Sequence, residues 1–250
     1  MGEHFIVAGA QRCATTYIYH LLAEHPEIEM AVPLKPEPKF FLLDDLFERG
    51  LDCYEEHFFK GKANARLRGE KSTSYIESEK AARRIAEALP GAKLVFILRD
   101  PIDRAVSNYW FSVQNDVESL PMEQAFRQEE ARREDYDHDR ISVSPYAYLK
   151  RGRYIDYLLM YERHVPREQM IVLLYEQLVG SDAALRALYR ALGVDETFSP
   201  PSLGEIVNPG EKPDTDMSAG LRAYLEEYFA APNARLAEWL DFDPREWWQP

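Results

Sequence analysis

The chain has 250 residues, with 30 Lys and Arg against 43 Asp and Glu, a formal net charge of −13. With 46% hydrophobic and 29% charged residues it has ordinary globular usage, which excludes wholesale disorder, collagen-like sequence and low-complexity filaments. The acidic balance argues against nucleic acid or another polyanion as the main partner, because such partners select broad basic faces; a local basic pocket stays open.

The first strong signal is a strand that runs into a turn and a helix. His4-Phe5-Ile6-Val7-Ala8 is a short apolar run of the kind buried in a parallel sheet. Gly9-Ala10-Gln11-Arg12-Cys13-Ala14 is a small-residue turn. From Thr15 onward Tyr17, Ile18, Leu21 and Leu22 recur at helical spacing, and His25-Pro26 stops the helix. A second β-like run, Lys93–Leu98, follows the Pro90-Gly91 break and leads through Arg99-Asp100-Pro101 into another helix, with Pro101 in its first turn. Tyr148–His164 reads as one long amphipathic helix, and Met170–Tyr175 as a third strand. Strands alternating with helices predict an α/β fold with a central, mostly parallel sheet flanked by helices.

Two stretches interrupt that pattern. Asn115–Pro145 is dense in charge and predicts a surface helix with a mobile or substrate-facing loop. Pro200–Asp216 carries Pro200, Pro201, Pro209 and Pro213 and predicts a long loop. No internal repeat and no Gly/Ser-rich linker divides the chain, so a single domain over 1–250 is expected. No secretion leader and no membrane-length apolar window is legible, and Cys13 and Cys53 are too few for a disulfide framework or zinc site. The expectation is a cytoplasmic protein with no integral membrane segment.

Strand, turn and helix in this order aim backbone N–H groups and a helix N-terminus at an anion. Arg12 adds a guanidinium, and Thr15 and Thr16 add two hydroxyls, a set suited to phosphate. The triphosphate-binding pattern G-x-x-x-x-G-K-[ST] almost fits Gly9–Thr16, but Ala14 replaces the second Gly and Thr15 the Lys. Without that Lys, β/γ-phosphate and Mg²⁺ binding is poorly supported. An ordinary strand–helix turn with polar surface residues is the plain alternative.

The segment FIVAGAQRCATTYIYHLLAEHPEI resembles the 5′-phosphosulfate loop of sulfotransferases that use 3′-phosphoadenosine 5′-phosphosulfate (PAPS), in the branch of heparan sulfate sulfotransferases and many bacterial enzymes. KLVFILRDPIDRAVSNYW is similar to the family's 3′-phosphate segment, Lys35-Pro36-Glu37-Pro38-Lys39-Phe40-Phe41 to its glutamate segment, and Gly69-Glu70-Lys71-Ser72-Thr73-Ser74-Tyr75 to its Gly-Glu-Lys segment. Tyr228-Phe229 through Trp247 is similar to the family's ending. These matches stand in family order along nearly the whole chain.

The resemblance implies that Gly9, Gln11, Arg12, Cys13, Ala14, Thr15 and Thr16 form a P-loop-like phosphosulfate site and that Arg99 and Ser107 grip the 3′-phosphate. Arg12 and Lys71 would meet the charge that develops on the leaving phosphate, and Glu37 would be the general base for the acceptor. Lys212, in the cofactor-covering loop of 200–216, would reach the cofactor. PAPS is the implied donor and 3′-phosphoadenosine 5′-phosphate (PAP) the product, with no metal expected. Lys39 stands where many relatives have His and Phe111 where several do, which points to Glu37 as base or else to an acceptor that needs little deprotonation, with Lys39 a candidate for a charge-stabilising role near the sulfuryl group. His20 and His25 read as helix-surface residues, and Arg153 and Tyr154 as a helix start.

The branch's long anionic polysaccharides fit poorly with a chain at −13 and acidic clusters within Asn115–Asp139. A small hydroxylated metabolite, a lipid or glycolipid, or a carrier-bound intermediate suits it better, a hydroxyl before an amine, with Tyr109, Trp110, Phe111 and Tyr136 as candidate aromatic surface. Two rival readings use the same loop: a P-loop small-molecule kinase, which needs Mg²⁺ and the missing Lys, and a nucleotide-binding relative without turnover. Oligomeric state leaves no trace in the sequence.

Overall fold

The first apolar run lies in strand β1 (Glu3–Gly9), followed by α1 (Thr15–Glu24), β2 (Ile28–Met30), α2 (Asp44–Phe47), α3 (Gly50–Phe58), β3 (Leu67–Lys71), α4 (Glu79–Ala88) and β4 (Lys93–Leu98). Then come α5 (Pro101–Gln114), α6 (Met122–Arg127), α7 (Glu129–Arg132), α8 (Tyr154–Glu162), β5 (Met170–Leu174), α9 (Tyr175–Leu178), α10 (Asp182–Leu192) and α11 (Ala219–Leu240). This computed structural model describes residues 3–132, 136, 143–205 and 217–248. The chain divides into two compact units, Met1–Leu98 with Leu159–Val207, and Arg99–Leu158 with Asn208–Pro250.

The first unit holds a five-stranded sheet in the order β2-β3-β1-β4-β5, with every neighbouring pair parallel. The three predicted strands are β1, β4 and β5, with Tyr175 opening the next short helix instead of ending β5. Phe5, Ile6, Val7, Leu94, Val95, Phe96, Ile97 and Leu98 are fully buried, as expected for strands covered on both faces. Apolar periodicity misses the three-residue β2 and also β3, whose Leu67-Arg68-Gly69-Glu70-Lys71 carries three charges. Strand β3 nevertheless runs between β1 and β2, and Gly69 is the reason it fits. A Cβ there would lie 2.3 Å from Phe5 Cζ and 2.5 Å from Met30 Sδ, since those two side chains fill the space above it.

Helix α1 keeps its predicted bounds, and its C-terminal end is closed by a lysine from a distant loop. Lys62 Nζ donates to the carbonyls of Ala23 at 2.9 Å, His25 at 2.7 Å and Ile28 at 2.9 Å. His25 is fully buried, which corrects the surface reading. Its Nδ1 accepts the Glu27 N–H at 3.1 Å, so Nε2 donates to Asp195 O at 2.9 Å.

In the second unit α5 starts as the sequence predicts, with Pro101 in the first turn and Asp100 accepting the N–H groups of Ile102 at 2.8 Å and Asp103 at 2.9 Å. Ala105, Tyr109, Phe126, Tyr148, Leu149, Leu225 and Phe229 form its core, which takes Tyr109 out of the candidate aromatic surface. The single helix expected over Tyr148–His164 is shorter: α8 begins at Tyr154, after a 3-10 turn at Lys150–Gly152. The Glu129 carboxylate accepts the N–H groups of Leu149 and Lys150 and so holds the entry to that turn. The described part of 115–145 holds α6 and α7, tied down by Glu118, whose carboxylate receives Arg132 at 2.9 and 3.0 Å and the Tyr148 hydroxyl at 3.0 Å. Residues 133–135 and 137–142 lie outside the described residues.

Candidate active site

The turn after β1 is shaped by one close approach and two left-handed residues. A Cβ on Gly9 would come within 2.8 Å of Ile76 Cγ2 and 3.3 Å of Thr73 O, so only glycine lets the strand pass the 73–76 segment. Ala10 N–H donates to Ile97 O at 2.9 Å, which ties the turn to β4. Arg12 at φ 69° and Ala14 at φ 57° are both left-handed, a conformation that costs a non-glycine residue about 1–3 kcal/mol and clusters at ligand sites. Cys13 is buried with Sγ 3.6 Å from Gln11 O. Helix α1 then begins at Thr15 with no side-chain cap and no acidic residue in its first turn. Its first turn therefore supplies no anion of its own to the positive end of the helix. Thr15 is buried and Thr16 half-buried.

A second group meets this turn at the carboxyl edge of the sheet. Val7 of β1 stands opposite Lys71 of β3, and Ser72 N–H extends the ladder to Val7 O at 3.2 Å. Lys71 Nζ is paired with Glu37 Oε1. Thr73 completes the grip: its N–H donates to Glu37 Oε2 at 2.8 Å and its hydroxyl lies 3.1 and 3.0 Å from the two carboxylate oxygens. The side-chain exposures separate the roles, with 4% for Lys71 and 17% for Glu37. The cation is enclosed while the carboxylate still reaches solvent. The Glu37 carboxylate thus rests on a cation and on the N–H and hydroxyl of Thr73. Thr73 carried no assigned role in the sequence reading; it lies in the turn directly after β3.

Behind that pair lies an acid that the sequence reading quoted without a role. Glu70 is fully buried, and three hydroxyls converge on it: Ser72 at 2.6 Å and Tyr75 at 2.7 Å on Oε1, and Tyr54 at 2.9 Å on Oε2. Burial, opposed by these donors, pushes its carboxyl up to about 7. The same site raises the Tyr54 and Tyr75 hydroxyls well above the ordinary tyrosine range, first through burial and then through the Glu70 charge. Ser72 Oγ also accepts the Lys39 N–H at 2.9 Å, and Tyr75 OH accepts the Phe41 N–H at 3.0 Å. Lys39 itself is half-buried with a left-handed φ of 51°.

In the second unit Arg99 follows directly on β4 and is buried, with 6% exposure. Its Nη2 donates to Asp103 Oδ2 at 3.1 Å, and its carbonyl accepts the Tyr154 hydroxyl at 2.9 Å. Tyr154 is thus a packed, hydrogen-bonded residue. Ser107 lies half-buried on α5, and Phe111 is 46% exposed. Lys212 lies outside the described residues, as does 206–216 of the predicted cofactor-covering loop. Among the described residues no helix is long and apolar enough to cross a membrane, and no group of three or more His, Cys, Asp or Glu is placed to hold a metal ion.

A parallel α/β sheet with an uncapped helix start after its first strand, beside a lysine on the neighbouring strand β3 paired with a glutamate from a loop, defines an α/β protein of the P-loop-like kind. Residues 34–199 match the model of the Sulfotransferase family, and the chain belongs to that family. The crystal structure of a sulfotransferase from Alicyclobacillus acidocaldarius superposes with a TM-score of 0.82 at 28% identity, covering 100% of both chains. The membrane-associated sulfotransferase kil1 of Dictyostelium discoideum is 35% identical over 127 residues, 49% of this chain and 26% of that protein. The human bifunctional heparan sulfate N-deacetylase/N-sulfotransferase 3 is 37% identical over 120 residues, 46% of this chain and 13% of that protein. The chain thus spans about a quarter or less of these curated relatives.

Proposed function

We propose that the chain transfers a sulfuryl group from PAPS to a hydroxyl of a small metabolite, a lipid or glycolipid, or a carrier-bound intermediate. The observation that carries this reading is the Lys71–Glu37 pair held beside the uncapped start of α1. Family membership and the full-length likeness to the Alicyclobacillus enzyme support it. The residues present fit such a donor. The α1 amides, Arg12, Thr15 and Thr16 offer donors for the 5′-phosphosulfate, and no acidic residue opposes it in the first helical turn. Arg99 and Ser107 are assigned to the 3′-phosphate.

When bound, PAPS supplies the activated sulfur–oxygen bond. Glu37 accepts the acceptor's proton as the acceptor oxygen bonds to sulfur and the bridging S–O bond breaks. As Glu37 becomes neutral, Lys71 loses its counter-charge and is free to neutralise the oxygen left on the phosphate. One ion pair thereby serves both ends of the transfer, and the charge moves without solvent reorganising around an enclosed lysine. Thr73 keeps the carboxylate aimed throughout. An amine acceptor is the second choice, because the human relative carries N-sulfotransferase in its name.

The test incubates the protein with labelled PAPS, or with ATP plus Mg²⁺, and a panel of alcohols, amines and heparan oligosaccharides. Sulfated small alcohols are the expected product. Phosphorylated products would establish the kinase reading, and faster transfer to heparan oligosaccharides would overturn the acceptor class. PAP binding with no transfer to any acceptor would favour the relative without turnover. Arg99→Ala is expected to weaken PAP binding about 10–100-fold in calorimetry, the equivalent of one or two lost charge-assisted hydrogen bonds. The 3′-dephospho nucleotide should lose almost nothing, and equal losses for the two would remove Arg99 from the 3′-phosphate.

A further inference from the structure

We propose that Glu70, through Ser72 and Tyr75, is the positioning residue that sets Glu37 in place by holding the backbone of its segment. This rests on the reading of Glu37 as the base. The segment 37–41 has no place in the sheet, yet it is gripped at three alternate residues. Glu37 is held by its side chain on Lys71 and Thr73, and Lys39 and Phe41 by their backbone N–H groups on Ser72 Oγ and Tyr75 OH. Each of those two hydroxyls accepts one backbone N–H and spends its own proton on Glu70 Oε1. A hydroxyl free to rotate would be an imprecise acceptor. With Glu70 taking its proton, each oxygen presents its lone pairs in one direction.

Other features strengthen the arrangement. The Tyr54 hydroxyl fills Oε2, and Tyr75 is anchored again through its carbonyl, which accepts the Tyr161 hydroxyl at 2.7 Å. Phe40 and Phe41 are buried against the Tyr54 ring, with centroids at 4.7 and 5.5 Å. Every hydrogen-bonding oxygen of Glu70 is satisfied by a group that either holds the 37–41 segment or packs against it. A buried carboxylate whose only task was stability would be as well served by apolar residues. Here it fixes the register of a segment with no strand of its own.

The experiment measures three quantities in Ser72→Ala, Tyr75→Phe, Glu70→Gln and Glu70→Leu: amide exchange by NMR, PAP affinity, and kcat with a working acceptor. In Ser72→Ala the Lys39 amide should exchange at least about tenfold faster, and in Tyr75→Phe the Phe41 amide, with β4 amides unchanged as the control for global stability. In both, kcat should fall about 10–100-fold, as expected when a reacting group is displaced by a fraction of an ångström to an ångström, while PAP affinity changes less than about threefold. Glu70→Gln keeps an oxygen for both hydroxyls and should retain the amide protection and most of kcat that Glu70→Leu loses. Unchanged exchange at Lys39 and Phe41, unchanged kcat despite faster exchange, or a Gln variant as impaired as the Leu variant would overturn the proposal. Exchange needs no turnover, so a wild-type protein inert towards PAPS would refute the proposed activity while the amides still judged the role of Glu70.

Discussion

Glu37→Gln is expected to lower kcat for sulfuryl transfer about 10²–10⁴-fold, the range for loss of a positioned general base, and to leave PAP affinity within a few-fold of wild type. The substitution keeps shape and two hydrogen-bonding atoms, so Thr73 retains a partner and the 37–41 segment stays tied to Ser72 and Tyr75. What disappears is the site for the acceptor's proton. The buried Lys71 also loses its counter-ion, which costs about 3–5 kcal/mol for a fully buried pair and less here because Glu37 reaches solvent. A thermal melt run beside the kinetics separates that loss from the chemical one. Transfer near the wild-type rate would move the base elsewhere, with the side chain of Lys39 the next position to test.

Lys71→Met is expected to lower kcat about 10²–10³-fold, as for removal of one charge-stabilising group aimed at a developing anion. Methionine fills the volume of an enclosed side chain without the charge, so the β3 edge keeps its packing. The more telling measurement is the double variant. If proton acceptance by Glu37 and release of Lys71 are one event, Glu37→Gln with Lys71→Met should be little slower than the worse single variant. Losses that multiply would mean two independent roles and would end the shared-charge account. Both substitutions should also show a larger defect for poorly acidic alcohols than for phenols, because a phenol needs less help in giving up its proton.

The parts of this protein that were legible in its sequence are those in which local pattern and tertiary environment ask for the same residues. β1, β4 and β5 are apolar because a parallel sheet buries both faces, and α1 is bounded by a small-residue turn and His25-Pro26. The turn at Gly9–Ala14 was legible for a similar reason, since its small residues stand between a buried strand and a helix start. β3 was hidden because it breaks that agreement. It puts Arg68, Glu70 and Lys71 into the sheet, where they are satisfied by side chains outside the strand: Glu55 for Arg68, Tyr54, Ser72 and Tyr75 for Glu70, and Glu37 for Lys71. The helix expected from Tyr148 starts only at Tyr154, after a 3-10 turn whose entry, the Leu149 and Lys150 N–H groups, is held by the Glu129 carboxylate from far upstream.

Sequence alone settled which residue types were on hand for sulfuryl chemistry, the order in which they come, and the first strand–turn–helix, because strand burial and helix periodicity are properties of neighbouring residues. Tertiary structure alone decided that Glu37 and Lys71, thirty-four positions apart, form one ion pair, that Thr73 aims it, and that His25 and Tyr109 belong to the interior. It also decided that Glu70 sits at the centre of three hydroxyls. The physical reason is that charge pairing and hydrogen-bond satisfaction are set by distance in space, and in this fold the parallel pairing of β1 with β3 creates that proximity.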